Sequence, residues 1–233
     1  MMTTADDGTQ APVALLPVGS FEQHGPYLPL ATDTLIATAI ADSISQQHNV
    51  FQLPALAFGC SQEHLDFPGT VSIGATTLNN IITDLIDSLR RRGTRGLVIV
   101  NAHGGNYVLS NTVQEANFKG EIRVGLFPSR EDWVEARAAA GILSTNHDDM
   151  HAGELETSIL LARHPGHVRD GWQTADRSAP DRRHLTTVGM SAYTESGVIG
   201  YPSRASAEKG QAVLDHLGKT AVGLITLLIE PLS

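Results

Sequence analysis

The residues best suited to chemistry in this sequence are acids and histidines that follow short apolar runs. Glu22 and His24 come just after the apolar run 13–18, and Asp33 follows nine residues after His24. Carboxylates and imidazoles are the ligands that Zn²⁺, Mn²⁺ and Fe²⁺ prefer at hydrolytic sites. These residues therefore indicate a candidate metal site. An ordinary alternative is that Asp33 only complements the N-terminus of a helix beside a surface loop.

A second element of the same kind strengthens the metal hypothesis. His103 comes just after the apolar run 97–100 and is followed by Gly104 and Gly105. Two glycines remove side chains where another group must approach the backbone closely. The pair is equally suited to a tight turn between a strand and a helix, so this observation alone leaves both interpretations open.

A third element places an imidazole and two acids at the start of a predicted helix. His151, Glu154 and Glu156 precede an apolar stretch at 159–162. Carboxylates two positions apart cannot share a helix face, so only one is expected to point at a given site. Both acids could instead do no more than complement the helix dipole. That role suits Glu154 better, because it comes earlier and follows Gly153.

Taken together, the three elements supply enough ligands for two metal ions. The predicted ligands are two imidazoles and three carboxylates: Glu22, His24, Asp33, His103 and Glu156. This set suffices for two divalent ions (Zn²⁺, Fe²⁺ or Mn²⁺) with a bridging carboxylate and a bridging water. His151 is then left as an imidazole outside the ligand set, which suits proton transfer.

The elements that must position these residues alternate between strand and helix. The runs 13–18 and 97–100 are short, apolar and bounded by Pro or Gly, which is typical of buried strands, and 121–127 is a further predicted strand. This alternation predicts an α/β fold with a mainly parallel sheet. Since ligands bind at the carboxyl ends of strands in such sheets, Glu22, His24 and His103 are expected to meet at one edge.

Two helices are predicted from apolar residues at helical spacing. The first covers 78–89 and ends at three arginines and Gly93, a basic last turn with a C-cap glycine. The second is a long amphipathic helix over 213–228 near the C-terminus. Both stripes are expected to face the core and carry no functional prediction.

At the same positions the chain resembles the creatininase (creatinine amidohydrolase) family. The matching blocks keep their order and spacing across 13–163. They are Leu-Pro-Val-Gly-Ser-Phe-Glu-Gln-His-Gly-Pro at 16–26, Leu-Pro-Leu at 28–30 with Asp33, Phe-Pro-Gly-Thr at 67–70, Asn-Ala-His-Gly-Gly-Asn at 101–106 and His-Ala-Gly with Glu-Thr-Ser in 151–158. The resemblance implies a three-layer α/β/α sandwich with a mainly parallel sheet. It also implies divalent metal ions and hydrolysis of C–N bonds in amides and cyclic amides.

The resemblance also assigns roles to individual residues of the site. Glu22, His24, Asp33 and His103 fall on metal-ligand positions of the family, with Asp33 as the bridge, and His151 falls on the catalytic histidine. One departure matters: creatininase proper has a glutamate ligand where this chain has Gly105. The missing ligand is therefore expected to come from Glu156. The same departure argues against creatinine as the substrate.

The expected activity is amide hydrolysis by a metal-activated water. Within the family, the opening block and the length most resemble a branch of peptidases that remove a C-terminal dipeptide from a precursor peptide. The alternative within the enzymes is a creatinine or formamide amidohydrolase. An alternative of a different class is a binding module that keeps the fold and has lost catalysis.

Composition limits the cellular compartment and the binding partners that can be expected for this protein. The chain has 233 residues, a formal net charge of −9 and one cysteine, Cys60. This length fits a single catalytic domain over 12–233 preceded by a flexible tail over 1–11. The acidic balance disfavours nucleic acid and anionic membranes as partners. With no secretory signal and no apolar run of spanning length, a cytoplasmic location is expected.

Residues 165–205 are rich in Gly, Pro, Ser, Thr and Arg and show no clear periodicity. A long irregular stretch in a compact domain is typical of a functional loop or an oligomer contact. Trp172, Tyr193 and Tyr201 lie there and could line a substrate pocket or an interface. The resemblance implies a homo-oligomer, a hexamer or a similar assembly.

Overall fold

The short apolar runs form adjacent strands of one parallel sheet in the computed structural model, which describes residues 3–120 and 122–230. The sheet order is β2–β1–β3–β4, and every neighbouring pair is parallel. The strands are β1 (Val13–Val18), β2 (Phe51–Gln52), β3 (Gly96–Asn101) and β4 (Arg123–Phe127). The predicted strand at 121–127 thus begins at Arg123, and Glu121 lies outside the described residues.

Helices follow the strands and cover the sheet. They are α1 (Thr32–Gln47), α2 (Ala75–Arg91), α3 (Val108–Lys119), α4 (Arg130–Ala139), α5 (Glu154–Arg163), α6 (Leu185–Val188), α7 (Ala207–Thr220) and α8 (Val222–Ile229). The predicted helix over 78–89 is the centre of α2. Gly93, just after it, has a φ of 87°, a left-handed conformation that glycine adopts without strain.

Side chains that alternate along each strand point to opposite faces of the sheet, where they form two separate apolar layers. On β3, Val98 and Val100 face one cluster, whereas Leu97 and Ile99 face the other. The first cluster receives buried side chains of α1, α5, α7 and α8, and the second receives those of α2 and α3. Helices therefore pack on both faces of the sheet. This is the expected three-layer α/β/α sandwich with a parallel sheet.

The C-terminal helix differs from the prediction in one respect, because it is divided at Ala221. Helical hydrogen bonds continue across the division: Ala221 donates to the Leu217 carbonyl (3.2 Å) and Ile225 donates to the Ala221 carbonyl (3.0 Å). α7 and α8 therefore form an almost continuous helix.

The segment Ala207–Ile229 has the length and mean hydropathy of a membrane-crossing helix, although no such run was expected from the sequence. Its inner face is nevertheless part of the protein core. Val213, Leu214 and Leu217 are fully buried in the cluster that covers β1 and β3. One face of this segment is therefore packed in the core of the domain.

Two features of the fold position the site. Val18 at the end of β1 pairs with Asn101 at the end of β3, so the loops that follow both strands leave from the same edge. α5 is held against α7 by a close backbone approach at Gly210, where a Cβ atom would collide with the carbonyl group of Ser158. The first turn of α5 is thereby fixed beside the sheet edge.

Candidate metal centre

The loop after β1 brings Glu22 and His24 into the protein interior, where both are fully buried. The Nδ1 of His24 lies 3.1 Å from the carbonyl oxygen of Glu22. A hydrogen bond from Nδ1–H to this oxygen leaves Nε2 as the nitrogen that faces the centre. The backbone of the loop therefore fixes the ring orientation that a ligand histidine needs.

Asp33, in the first turn of α1, lies between two histidines. Its Oδ1 is 3.1 Å from Nε2 of His24, and its Oδ2 is 3.2 Å from Nδ1 of His103. The side chain is almost completely buried. A carboxylate with one oxygen toward each imidazole has the position that a bridging ligand would require.

His103 reaches the same point from the loop after β3. Its Nε2–H donates to the backbone carbonyl of Cys60 (2.8 Å), which leaves Nδ1 toward the acids. Nδ1 lies 3.2 Å from Oε2 of Glu22. The Asn101 side chain donates to the His103 carbonyl (2.8 Å) and secures the loop.

The two acids of α5 have different neighbours. Glu156 directs Oε2 to 3.9 Å from Nε2 of His24 and accepts a hydrogen bond from the Ala152 amide (2.5 Å). Glu154 faces away from the centre, where it binds Nζ of Lys209 (2.6 Å) and accepts from Oγ of Ser144 (2.8 Å). Of the two, Glu156 is therefore the acid that lies at the centre.

His151 lies on the loop that enters α5. Its Nε2–H donates to the carbonyl of Gln23 (2.6 Å), and its Nδ1 is 3.7 Å from Oε1 of Glu22. The next residue, Ala152, has a φ of 52°, a strained conformation for a residue with a side chain. This turn directs the Ala152 amide at Glu156 while the His151 ring leans over the centre.

Among the described residues, the predicted ligands and His151 form three overlapping groups, and within each group the ligand atoms lie within 4.8 Å of one another. The groups are Glu22, Asp33 and His103; His24, Asp33 and Glu156; and Glu22, His24 and His151. The structure thus brings together all six residues selected from the sequence. Their division into ligands and a proton donor stays a prediction, since His151 belongs to one of the groups.

Two residues at the centre were not predicted from the sequence. Glu63 and His64 lie in the short 3₁₀ helix Gln62–His64. Nε2 of His64 is 3.3 Å from Oε1 of Glu22, and Oε1 of Glu63 is 3.8 Å from Nε2 of His103. The signal that could have found them is an adjacent acid and histidine just before the Phe-Pro-Gly-Thr block.

The orientation of His64 is set by Gln23. The Gln23 carbonyl Oε1 accepts from the Gly25 amide (3.0 Å), so its Nε2 donates to Nδ1 of His64 (2.9 Å). A neutral His64 with an acceptor Nδ1 carries its proton on Nε2, which faces Glu22. The Nε2–H of His64 therefore faces one oxygen of Glu22, and the other oxygen faces His103.

Gly105 lies directly beside the 3₁₀ helix that carries Glu63 and His64. A Cβ atom at position 105 would collide with the Glu63 carboxylate, with Nε2 of His103 and with the backbone carbonyl of Cys60. The space that a side chain at 105 would occupy is thus already filled, in part by an acid from another segment.

Burial and opposite charges shift the pKa values of the centre strongly. Burial disfavours the charged form of His24, but the Asp33, Glu156 and Glu22 carboxylates outweigh it and raise the pKa to about 9. The pKa of His103 is raised well above its usual value, with burial opposed by Glu22 and Asp33. Without metal, both imidazoles therefore hold protons at neutral pH.

Glu156, His64 and His151 have pKa values that leave them half-charged or uncharged at neutral pH. Burial raises the pKa of Glu156 to about 7. Burial lowers the pKa of His64 to about 4, and burial together with the His24 and His64 charges lowers that of His151. His64 and His151 are therefore neutral at pH 7.

The donor set fits divalent cations on physical grounds. Both carboxylate oxygens of Glu22 and Oδ2 of Asp33 are buried, and none receives a hydrogen bond of suitable geometry from a described residue. Buried carboxylate oxygens without a donor are costly unless a cation compensates them. Cations bound here would provide that compensation in place of the protons on His24 and His103.

The centre opens into a cavity of about 510 Å³. Its wall includes Pro128, Arg130 and Trp133. Its floor consists of the acids and histidines of the centre that line it, namely Glu22, Asp33, Glu63, His64, His103, His151 and Glu156. From the irregular segment 165–205, Leu185 contributes to the lining. Trp172, Tyr193 and Tyr201 are not lining residues, so the suggestion that they form the pocket is not supported for this cavity.

Sequence comparison establishes the class of protein. The profile of the family described as "Creatininase: Creatinine amidohydrolase" matches residues 2–225. The chain therefore belongs to the creatininase family, whose members are metal-dependent amidohydrolases, and the resemblance seen in the sequence blocks is confirmed.

Individual relatives are similar over most of their length. The chain is 34% identical over 219 residues to the mycofactocin precursor peptide peptidase of Mycolicibacterium smegmatis, covering 90% of this chain and 82% of that protein. It is 28% identical over 221 residues to the creatinine amidohydrolase of Pseudomonas putida, covering 87% and 84%. A solved structure described as "Creatininase Mn" superimposes with a TM-score of 0.78 at 28% identity, covering 94% of this chain and 91% of that one.

Proposed function

We propose that this chain is a metallopeptidase that removes a C-terminal dipeptide from a precursor peptide. Its two divalent ions, Zn²⁺, Fe²⁺ or Mn²⁺, would be held by the predicted ligands Glu22, His24, Asp33, His103 and Glu156. The observation that carries the proposal is the set of buried carboxylate oxygens on Glu22 and Asp33 that receive no hydrogen bond of suitable geometry from the described residues. Relatives with the peptidase activity in their name support the choice of substrate.

The residues of the chain have separable tasks. When bound, the ions would supply an activated water and polarise the scissile carbonyl. His24 and His103 are held by backbone carbonyls, so their orientation is set before substrate arrives. Glu22 and Asp33 are buried, which excludes bulk water and strengthens the local field.

His151 is the residue proposed to move the proton. Its Nε2–H is committed to the Gln23 carbonyl, so Nδ1 is the free nitrogen, and it faces the centre. With Nε2–H held by the Gln23 carbonyl, the ring presents Nδ1 as an acceptor that would take up the proton released by the attacking water. It then donates this proton to the leaving nitrogen as the amide bond breaks.

A creatinine amidohydrolase is the second candidate, because creatininases match the chain in sequence and fold. Gly105 argues against it. No side chain at this position can contribute to the centre, and the crowding by Glu63, His103 and Cys60 leaves no room for one. A small cyclic amide would therefore contact a centre to which position 105 contributes no side chain.

The decisive experiment incubates the metal-loaded protein with a candidate precursor peptide and follows the products by mass spectrometry. Release of an intact dipeptide from the C-terminus is the expected result. Conversion of creatinine with no peptide cleavage would favour the second candidate. Absence of bound metal together with inactivity on peptides, creatinine and formamides would identify a binding module.

Assembly, location and domain organisation complete the proposal. We infer a homo-oligomer, a hexamer or a similar assembly, which light scattering coupled to size exclusion would test. A cytoplasmic location is inferred from the acidic net charge and the single buried cysteine, with neither nucleic acid nor membrane as a partner. The proposed boundaries are a tail over 1–11 and one catalytic domain over 12–233.

A further inference from the structure

The cavity that leads to the centre is strongly acidic at its floor. Glu22, Asp33, Glu63 and Glu156 all line it. Bound divalent ions would compensate these acids, so a negative charge that the substrate carries outside the centre has to be met by a cation of the cavity wall. The charged groups of the wall therefore bear on what the cavity accepts.

Two arginines line the cavity, and one is already committed. Arg137 is buried, and its guanidinium donates to Oδ2 of Asp149 (3.1 Å), to the Asp149 carbonyl (3.1 Å) and to Oδ1 of Asn146 (2.7 Å). Further bonds go to Ser144. These contacts fasten α4 to the loop before His151, so Arg137 is a structural residue.

Arg130 is in the opposite situation. Its side chain is solvent-exposed and lines the cavity, and its guanidinium has no hydrogen bond or ion pair with any residue in 3–120 or 122–230. It is thus a cation on the cavity wall without a carboxylate partner in the described chain. An unpaired guanidinium facing an acid-rich cavity is suited to an anion brought by the substrate.

The backbone beneath Arg130 is well fixed. Arg130 is the first residue of α4, which is capped by Ser129 and Asp132 through reciprocal hydrogen bonds of 3.1 and 2.7 Å. Trp133, three residues on and therefore on the same helix face, also lines the cavity and packs against the main apolar cluster. The guanidinium extends from a rigid support next to an aromatic surface.

We propose that Arg130 binds the free C-terminal carboxylate of the peptide substrate. This inference rests on the proposed peptidase function and specifies its substrate class: peptides with an unblocked C-terminus. A planar guanidinium pairs with a carboxylate through two parallel hydrogen bonds. Anchoring the terminus at Arg130 holds the chain so that an amide bond at a set distance from its end reaches the centre.

The test compares two peptides of identical sequence, one ending in a free acid and the other in a carboxamide. Wild-type enzyme should cleave the acid with the lower KM. In Arg130→Gln, kcat/KM for the acid should fall about 10- to 100-fold, mainly through KM, because a charge-assisted contact is lost. The amide peptide should be cleaved at nearly the wild-type rate, so the discrimination disappears.

Controls separate this role from general damage. Arg91→Gln, at the end of α2 and away from the cavity, should leave both substrates unaffected. Arg130→Lys should retain part of the preference for the acid. Calorimetry with a dipeptide acid and the matching dipeptide amide provides a readout independent of turnover, and only the acid should bind more weakly to Arg130→Gln.

The outcomes distinguish the two proposals. Equal losses on acid and amide in Arg130→Gln, or no discrimination by the wild type, would overturn the role of Arg130 while leaving a peptidase. Failure of the metal-loaded wild type to cut either peptide would contradict the peptidase function itself and this inference with it.

Discussion

At the scale of single residues, the two acids of α5 provide the sharpest comparison. Glu156 lies at the centre, whereas Glu154 is bound to Lys209 and Ser144. We expect Glu156→Gln to lose bound metal, because a ligand oxygen is replaced by an amide. Glu154→Gln should keep metal near the wild-type level. Elemental analysis of both purified variants decides, and the reverse pattern would show the ligand assignment to be wrong.

His151 should behave as a proton donor and not as a ligand. We expect His151→Ala to retain its metal and to lose about 10²–10⁴-fold in turnover, the usual contribution of a general acid–base group. His167→Ala, a change at an exposed histidine away from the centre, is the control and should alter neither quantity. A metal-free His151→Ala protein would refute the donor role.

His64 should act through Glu22. Because its Nε2–H faces Oε1 of Glu22, removing it frees the carboxylate to turn away from the centre. We expect His64→Leu to weaken metal binding about 10- to 100-fold, the range seen when a group that orients a ligand is lost. His64→Gln can still donate and should recover part of the affinity. Chelator competition measures this, and unchanged affinity in His64→Leu would exclude the role.

At the scale of secondary-structure elements, the contact between α5 and α7 depends on a glycine. Gly210→Ala would place a methyl group against the Ser158 carbonyl, so the helices must separate. We expect the free energy of unfolding to fall by about 1–3 kcal/mol, as in other overpacked interiors. Urea denaturation measures the change.

The matched control is Gly223→Ala in α8, where a Cβ atom meets nothing within 4 Å. Here the same chemical change should be neutral or stabilising by up to about 1 kcal/mol, because alanine has the higher helix propensity. Equal effects at Gly210 and Gly223 would mean that the α5–α7 contact is looser than the structure indicates.

The elements also show which parts of the site the sequence can reveal. Glu22, His24 and His103 were found because each follows a run of buried residues that ends at a parallel-sheet edge. Glu63 and His64 were missed because a three-residue turn has no periodicity to read. Gly105 could be recognised as a departure from the family pattern, but its crowding by Cys60 and Glu63 depends on contacts between distant segments.

At the scale of the whole molecule, the centre links segments that are far apart in sequence, from Glu22 to Glu156. Metal bound only by the folded chain stabilises it, by about 2.7 kcal/mol when the free ion is at a hundred times its Kd. We therefore expect the melting temperature to rise on metal loading and to return after chelation. No shift between loaded and chelated protein would argue against the centre.

The rise in melting temperature on metal loading should be larger at higher pH. The His24 pKa is raised from 6.5 to about 9, so without metal its protonated form stabilises the fold fully below 6.5, and this contribution is lost as pH approaches 9. Metal must displace this proton and that of His103, so binding strengthens over the same interval. Melting curves of loaded and chelated protein at pH 6 and pH 8.5 should differ more at the higher pH.

The crowding around Gly105 also limits the order in which this sequence could change over evolution. Any single substitution at 105 would push against a backbone carbonyl and the His103 ring before its side chain could contribute to the centre. The turn that carries Cys60 and Glu63 would have to move first. Proteins with an acid at 105 and proteins with glycine there are therefore expected to differ in the position of this turn as well as at 105 itself.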